Sequence, residues 1–215
     1  MKKSYSLILA AFLLTLTSFA QTPLNAVTDK GDEVLLYPNG EWAFKDKDQT
    51  LESDIPINTT EVFKKSDRSN FLLKSNRTNI GLYLNPKNWS FKKQEATEDS
   101  EYILSFKGDH DIYAMLITER FVIPIENLAE VAFINAAEVD PNLVIDEVEY
   151  RTVNDVQVIM MKMKANMHGM KIVYLGYYFS NETGSNQLVT YTQQESFAET
   201  EKHMLELLNG LVIQP

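Results

Sequence analysis

The side chains best suited to chemistry lie in one run near the middle of the chain. The run supplies soft thioethers and one imidazole, from Met160, Met161, Met163, Met167, His168 and Met170. Because cuprous ion prefers such ligands, the run predicts a copper site. Strand alternation, however, would send Met161 and Met163 to one face and Met160 to the other, and methionine also fills irregular cores. Metal binding and core packing both stay open.

A second group of possible ligands lies in a predicted turn. Asp109, His110 and Asp111 offer oxygen and nitrogen donors that could hold a divalent ion. The alternative is an ordinary turn, because aspartate and the neighbouring Gly108 accept unusual backbone angles and solvent. The sequence leaves both interpretations open.

Catalytic patterns are missing from the sequence. There is no Gly-x-Ser-x-Gly elbow, the eight glycines form no phosphate loop, and the three histidines have no triad spacing. Glu147 and Glu149 share one face of a predicted strand, which we expect to be its solvated side. His203 could share a helix face with Glu199 and Glu206, a pattern that also fits a solvated face. We therefore predict a protein that is not an enzyme and has no cofactor.

The chain contains no cysteine. This excludes disulfides, thiolate metal sites and cysteine nucleophiles, and it excludes a lipid anchor of the kind attached to cysteine. Stability must come from a hydrophobic core, for which 44% apolar residues suffice.

The amino end has the three regions of a secretory signal. Lys2 and Lys3 precede a leucine-rich core at about residues 7–16, and small residues lead to Ala20. The core is about half the ~20 residues that a membrane-spanning helix needs. We predict a cleaved signal at residues 1–20, a periplasmic or secreted protein, and no stable membrane insertion after cleavage.

Charge is unevenly distributed in this chain of formal net charge −10. Residues 51–95 carry eight basic and five acidic side chains, net +3, whereas residues 96–215 carry seven and nineteen, net −12. A negative field repels nucleic acid and anionic lipid headgroups, so we expect no nucleic-acid partner. It could attract cations or a basic partner, and it also favours solubility.

Residues 21–50 form a predicted small β-meander module, in which short β-type runs alternate with turn residues. Its pattern is carried by Gly31, Val34, Leu36, Asn39, Gly40 and Trp42. Residues 51–70 are polar without a sustained apolar period, which predicts a linker.

The main domain, residues 71–215, is predicted to be α+β. Strands are expected at residues 80–84, 102–106, 112–118, 144–153, 156–166, 170–180 and 187–193. Their close spacing leaves no room for crossovers, so we predict an antiparallel meander. Helices are expected after Pro124 and after a capping box that begins at Ser196, and these helices should flank the sheet.

The order of these pieces resembles the PsbP-like domain, named for an extrinsic subunit of the photosynthetic oxygen-evolving complex. The resemblance covers residues 71–215 and is carried by Leu84-Asn85-Pro86-x-x-Trp89, the hairpin 103–117, the helix after Pro124, the turn at Val153-Asn154-Asp155 and the helix before Leu211-Val212. Asp155 stands where glycine is usual. The resemblance implies a non-catalytic domain that docks onto larger assemblies or binds a protein partner.

Three functional hypotheses follow from the sequence. The first is an exported, non-catalytic binding or assembly protein with an unknown protein partner, and it expects that Met161, Met163 and His168 do not converge on one exposed spot. The second is a periplasmic or extracellular metal-binding protein that uses the Met and His run or the Asp-His-Asp turn. The third is a hydrolase whose site the sequence does not reveal.

Overall fold

The computed structural model describes residues 24–27, 33–36, 42–44, 54–95, 99–140, 142–167 and 169–214. The chain divides into two units, one within residues 1–45 and one within residues 46–215. The predicted signal, residues 1–20, lies outside the described residues, as does His168.

The first unit contains a small antiparallel sheet. Its strands are β1 (Leu24–Val27), β2 (Glu33–Leu36) and β3 (Trp42–Phe44), in the order β1-β2-β3. Val34 is buried, whereas Leu24 and Leu36 are exposed. The sheet is short because each run of β-type residues holds only three or four positions between turn signals.

The second unit is α+β, as the sequence predicts. Its elements are β4 (Phe71–Lys74), β5 (Ile80–Leu84), β6 (Trp89–Lys93), β7 (Tyr102–Phe106), β8 (Ile112–Glu119), α1 (Ile125–Val139), β9 (Val144–Val153), β10 (Val156–Met167), β11 (Met170–Asn181), β12 (Gly184–Gln193), α2 (Phe197–Leu208) and β13 (Leu211–Ile213). All pairs between named strands are antiparallel.

The sheet topology corrects the expectation of one uninterrupted meander. Seven strands form a sheet in the order β6-β7-β8-β12-β11-β10-β9, and three more form a sheet in the order β13-β5-β4. After β8 the chain passes through α1 and enters the large sheet at its far edge with β9. The hairpins β9 to β12 then return until β12 pairs with β8 over residues 185–192. The large sheet is therefore two meanders joined at β8 and β12.

The large sheet has two differently covered faces. One face carries Val158, Leu175 and Leu188 and belongs to a core that also includes Met204 and Leu208 of α2. Because side chains alternate along a strand, the neighbouring positions on β10 and β11 point to the other face. There α1 packs on β10 and β11. Its buried side chains are Leu128, Ala129, Phe133 and Ala137.

The segment that sequence analysis assigns to a linker, residues 51–70, differs from that expectation in its described part. Phe63 is buried in the core, and residues 57 and 63 form isolated parallel bridges with β9. The Arg151 guanidinium lies 4.4 Å from the centre of the Phe63 ring. Phe63 anchors the segment, whereas Ile57 and Val62 are exposed, so no hydrophobic period is visible in the sequence. The predicted domain boundaries stay predictions.

The capping box predicted at the start of α2 is not formed. Ser196 makes no side-chain cap hydrogen bond and has helical backbone angles, φ −88° and ψ −9°. An N-cap residue normally has extended angles. Ser196 instead ends a 3₁₀ turn, Gln194–Ser196, and its carbonyl accepts a hydrogen bond from Thr200 Oγ1 at 2.8 Å.

The turn between β9 and β10 is a tight hairpin in which Asn154 and Asp155 have positive φ, 46° and 66°. Such a turn favours Asn followed by Gly, and here the second position is aspartate. Asn154 also holds neighbouring segments, because its side chain donates to the carbonyls of Asn209 and Leu211 and accepts from the Lys65 amide.

Candidate functional site

The methionines of the predicted copper site are mostly packed into the protein. Met161 and Met163 are 0% and 3% exposed on the face of β10 that α1 covers, and Met160 lies in the core on the opposite face. Met170 is exposed, and Met167 is partly exposed. Met161 and Met163 thus do not lie on an exposed spot. Whether the run binds a metal stays a prediction.

The Asp109, His110 and Asp111 turn lies at the surface before β8. Both aspartates are exposed and His110 is partly buried. The Asp111 carbonyl accepts a hydrogen bond from Thr192 Oγ1 at 2.8 Å, which fixes the turn beside the end of β12. Within the described ranges, no group of three or more His, Asp or Glu side chains is arranged to hold a metal ion. Metal binding by the turn likewise stays a prediction.

A row of three tyrosines crosses adjacent strands beside this turn, and we call Tyr113, Tyr191 and Tyr174 the tyrosine row. They lie on β8, β12 and β11 and are direct partners in the strand register. The ring centroids of Tyr113 and Tyr191 are 5.6 Å apart, and those of Tyr191 and Tyr174 are 5.8 Å apart. The side chain of Tyr113 is 39% exposed, and the other two are partly exposed. The row forms a continuous aromatic surface.

The surface continues as partly exposed apolar side chains. On β8 every second side chain is buried, and Met115 and Ile117 on the side of Tyr113 are only partly buried. Ile103 of β7, which pairs with Met115, is also partly exposed. At the other end the Tyr174 hydroxyl donates to Met167 Sδ at 2.9 Å. An antiparallel sheet usually presents polar side chains where a face is open, so this apolar face needs an explanation.

Carboxylates flank the tyrosine row at both ends. Asp111 lies two residues before Tyr113 on β8. Asp140 lies near Tyr174, whose pKa is raised by burial first and then by the charges of Tyr191 and Asp140. Asp140 accepts hydrogen bonds from the Asn166 and Asn142 amides, which hold the pKa of its carboxyl below the usual range. The Asp140 carboxyl therefore stays ionised at neutral pH.

Glu101 is the most deeply buried carboxylate in the described part of the chain, at 2% exposure. It accepts hydrogen bonds from Ser75 Oγ and Thr118 Oγ1 at 2.7 Å and from the Asn76 amide at 2.8 Å. Burial raises the pKa of Glu101, but these hydrogen bonds outweigh it and the pKa is lowered overall. A carboxylate whose acceptor sites are occupied by the protein holds the loop at residues 75–78 in place.

His203 stacks on Phe106, with ring centroids 4.7 Å apart. Burial is the main cause that lowers the pKa of His203, and the charge of Lys202 adds to it. Glu206, which the sequence places on the same helix face as His203, makes a different kind of contact. Its buried Oε1 lies 3.5 Å from Arg68 Nη2 and has no hydrogen-bond partner among the described residues. The geometry indicates packing of α2 on the β6–β7 hairpin.

A cavity of about 510 Å³ lies at the start of α1. It is lined by Val122, Ile123, Pro124, Ile125, Asp155, Val156, Gln157, Phe179, Ser180 and Ile213. The wall is mostly apolar, and its three polar side chains do not by themselves define a ligand.

The tyrosine row was not predicted from the sequence. Tyr113, Tyr174 and Tyr191 are each visible as aromatic positions in predicted strands, but they lie far apart in sequence. Only the strand order, with β12 between β8 and β11, places them side by side. The expected hairpin of β11 and β12 could have identified Tyr174 and Tyr191 as neighbours, but not Tyr113.

Comparisons with known proteins identify similar folds but no relative by sequence. No family model and no curated protein matches the chain. Similar solved structures include cyanobacterial PsbP (CyanoP) from Synechocystis, with 6% identity and a TM-score of 0.49 over 69% of this chain and 94% of that one. Another is LpqN, involved in cell envelope biogenesis of Mycobacterium tuberculosis, with 10% identity and a TM-score of 0.47 over 67% and 90% of the two chains.

A third similar structure is PA94 of Pseudomonas aeruginosa, a protein of unknown function and putative regulator. The identity is 9% and the TM-score 0.44, over 67% of this chain and 97% of that one. Like the sequence, the structure resembles a PsbP-like protein, and at such identities the likeness concerns the fold alone.

Neither helix of the described part has the length and apolar character to cross a bilayer.

Proposed function

We propose that this chain is an exported, non-catalytic binding or assembly protein whose tyrosine row docks a protein segment with basic and apolar side chains. The observation that carries the proposal is the row itself. Three tyrosine rings in mutual contact lie partly exposed on an apolar sheet face, with a carboxylate at each end.

Tyrosine supports a binding role because it combines a large apolar ring with a polar hydroxyl. Tyrosine is enriched among the residues that dominate protein interfaces. A ring held by its neighbours loses little conformational entropy on binding, so contacts made by Tyr191, which packs between Tyr113 and Tyr174, should contribute most of the affinity.

The charges around the row support a basic partner. Exposed Asp111 lies at one end of the row and Asp140, ionised but buried and bonded by two amides, lies near the other. The neighbouring α1 carries three glutamates and no lysine or arginine. Lysine and arginine side chains are attracted both by carboxylates and by the faces of tyrosine rings. The net charge of −12 over residues 96–215 favours the same choice of partner.

Export and the lack of catalysis are supported by different observations. The amino end has the three-part pattern of a secretory signal, which supports export to the periplasm or out of the cell. Two buried polar groups that could serve catalysis are engaged in holding the fold. Glu101 accepts hydrogen bonds from four donors, and Arg151 contacts Glu149, Tyr177 and Phe63.

Photo-crosslinking tests the proposal. Met115, on the same face as the row, is replaced by a photo-reactive amino acid in the producing cell. We expect an adduct with a basic segment of a partner protein, and we expect its yield to fall about tenfold in Tyr113→Ala and Tyr191→Ala chains, as interface anchors do. Tyr83→Ala, on β5, is the matched control and should not change the yield. The proposal would be overturned if the crosslinked partner segment were acidic, or if neither Tyr113→Ala nor Tyr191→Ala changed the crosslinking yield.

A further inference from the structure

A second exposed apolar surface lies at the outer edges of β4 and β6. Phe71 on β4 and Phe91 on β6 are 39% and 42% exposed, and their ring centroids are 5.4 Å apart. Each strand is the last of its sheet. The two rings therefore form an apolar tip where the edges of the two sheets meet.

Four lysines lie close in sequence to the two rings. Lys92 and Lys93 follow Phe91 on β6, Lys74 ends β4, and Lys87 lies in the turn before β6; all four are exposed. Because side chains alternate along a strand, Lys92 and Lys93 point to opposite sides of β6. Together with Phe71 and Phe91 these four lysines make up what we call the Phe–Lys edge.

The lysines of the Phe–Lys edge form no ion pair among the residues that the structure describes. Within residues 96–215, by contrast, lysines do form ion pairs. Lys162 Nζ lies 3.0 Å from Asp146 Oδ2, and Lys164 Nζ lies 2.5 Å from Asp146 Oδ1. The edge thus carries four lysines without an ion pair on an acidic protein. The described acids of the β6–β7 connection are Glu95, Asp99 and Glu101, and Glu101 is buried and bonded by its own donors.

Protection of an open strand edge explains only part of this arrangement. Edge lysines discourage pairing with another strand, and Lys92 and Lys93 meet that need. Two exposed phenyl rings do the opposite, because apolar edges promote association. The two rings therefore indicate a binding partner that covers apolar side chains and also accepts the neighbouring lysines.

We propose that the Phe–Lys edge binds the surface of an anionic phospholipid membrane. Phenyl rings enter the boundary between headgroups and acyl chains, while lysine ammonium groups meet lipid phosphates. The net negative charge of residues 96–215 is no barrier in this orientation, because charges more than about 8 Å away are largely screened at physiological ionic strength. Peripheral binding of this kind needs no spanning helix.

The residue types favour a membrane over an acidic protein as the partner. Protein interfaces are enriched in arginine and depleted of lysine, whereas membrane-surface patches use either as a point charge. All four cations of the Phe–Lys edge are lysines. The proposal is independent of the tyrosine row, which lies on other strands, so each can fail without the other.

Sedimentation with lipid vesicles tests the inference. The exported chain is mixed with phosphatidylcholine vesicles that contain phosphatidylglycerol or lack it. We expect binding only to the anionic vesicles, and weaker binding at high salt. A chain with Lys92→Gln and Lys93→Gln should bind about thirtyfold more weakly, since each lysine near such a surface contributes roughly a five- to sixfold gain. A chain with Phe71→Ser and Phe91→Ser should also bind more weakly.

Matched controls separate local from general effects. Lys171→Gln with Lys202→Gln removes the same charge from exposed positions elsewhere, and Val62→Ser removes an apolar side chain of even greater exposure. Both control chains should bind like the unaltered one. No binding to anionic vesicles, equal binding to neutral ones, or equal losses in the lysine controls would each overturn the inference.

Discussion

Glu101 illustrates at the residue scale how a buried charge can hold a loop in place. Four donors from residues 75, 76 and 118 occupy its carboxylate, and together they outweigh burial and lower its pKa below the ordinary glutamate value. A carboxyl whose pKa is lower in the folded state stabilises the protein above the unfolded-state pKa. That contribution is lost as the pH falls through the folded-state pKa.

We therefore predict that Glu101→Gln lowers the free energy of unfolding at neutral pH by about 1–3 kcal/mol, the cost of disrupting a buried charged hydrogen-bond network. The deficit relative to the unaltered chain should shrink below pH 4.5, where the natural carboxyl loses its advantage. Urea denaturation at several pH values measures this difference. Glu199→Gln, at an exposed position, is the control. A deficit that does not change with pH would contradict this account.

Phe63 belongs to the element scale, because one side chain fastens a whole polar segment to the large sheet. We predict that Phe63→Ala lowers the free energy of unfolding by about 3–5 kcal/mol, the usual cost of deleting a buried phenylalanine. It should also speed tryptic cleavage at Lys64 and Lys65, since the isolated bridges to β9 are too few to hold the segment. Val62→Ala, at a highly exposed position, should change neither the stability nor the cleavage rate.

Elements with strong local patterns were predicted from the sequence, and elements that depend on distant partners were not. The runs at residues 80–84, 102–106 and 144–153 are strands with those bounds, because β-type residues lie between clear turn signals. β4 and β13 were missed, since each has only three or four residues and exists by pairing with β5. The pairing of β8 with β12 was missed because hairpin spacing specifies only neighbours in sequence.

The candidate surfaces follow the same rule. The chemistry of single residues could be read from the sequence, as with the aspartates around His110. The tyrosine row and the Phe–Lys edge each combine strands that are not consecutive in the chain. No local pattern specifies such a combination, because it depends on the strand order and on the contact between two sheets.

At the scale of the whole molecule, the second unit has a continuous buried cluster of its own. Among the described residues this cluster extends from Phe63 to Leu211. We predict that a chain lacking residues 1–45 unfolds in one cooperative transition, with a free energy of unfolding within about 1 kcal/mol of the full value. Calorimetry and urea denaturation can check this. A broad transition, or a loss of several kcal/mol, would mean that the core depends on the first unit.

The pairing of β8 with β12 also has a consequence for how the protein is made. Synthesis proceeds from the amino end, so β6 to β8 emerge well before their last neighbour, and the inner edge of β8 waits until residues 184–193 arrive. Pairing across such a distance is slow to form and leaves an unmatched, partly apolar strand in the interim. Any nascent chain halted before Gly184 would carry that bare edge, and a chaperone that shields it would find its target at Ile112–Glu119.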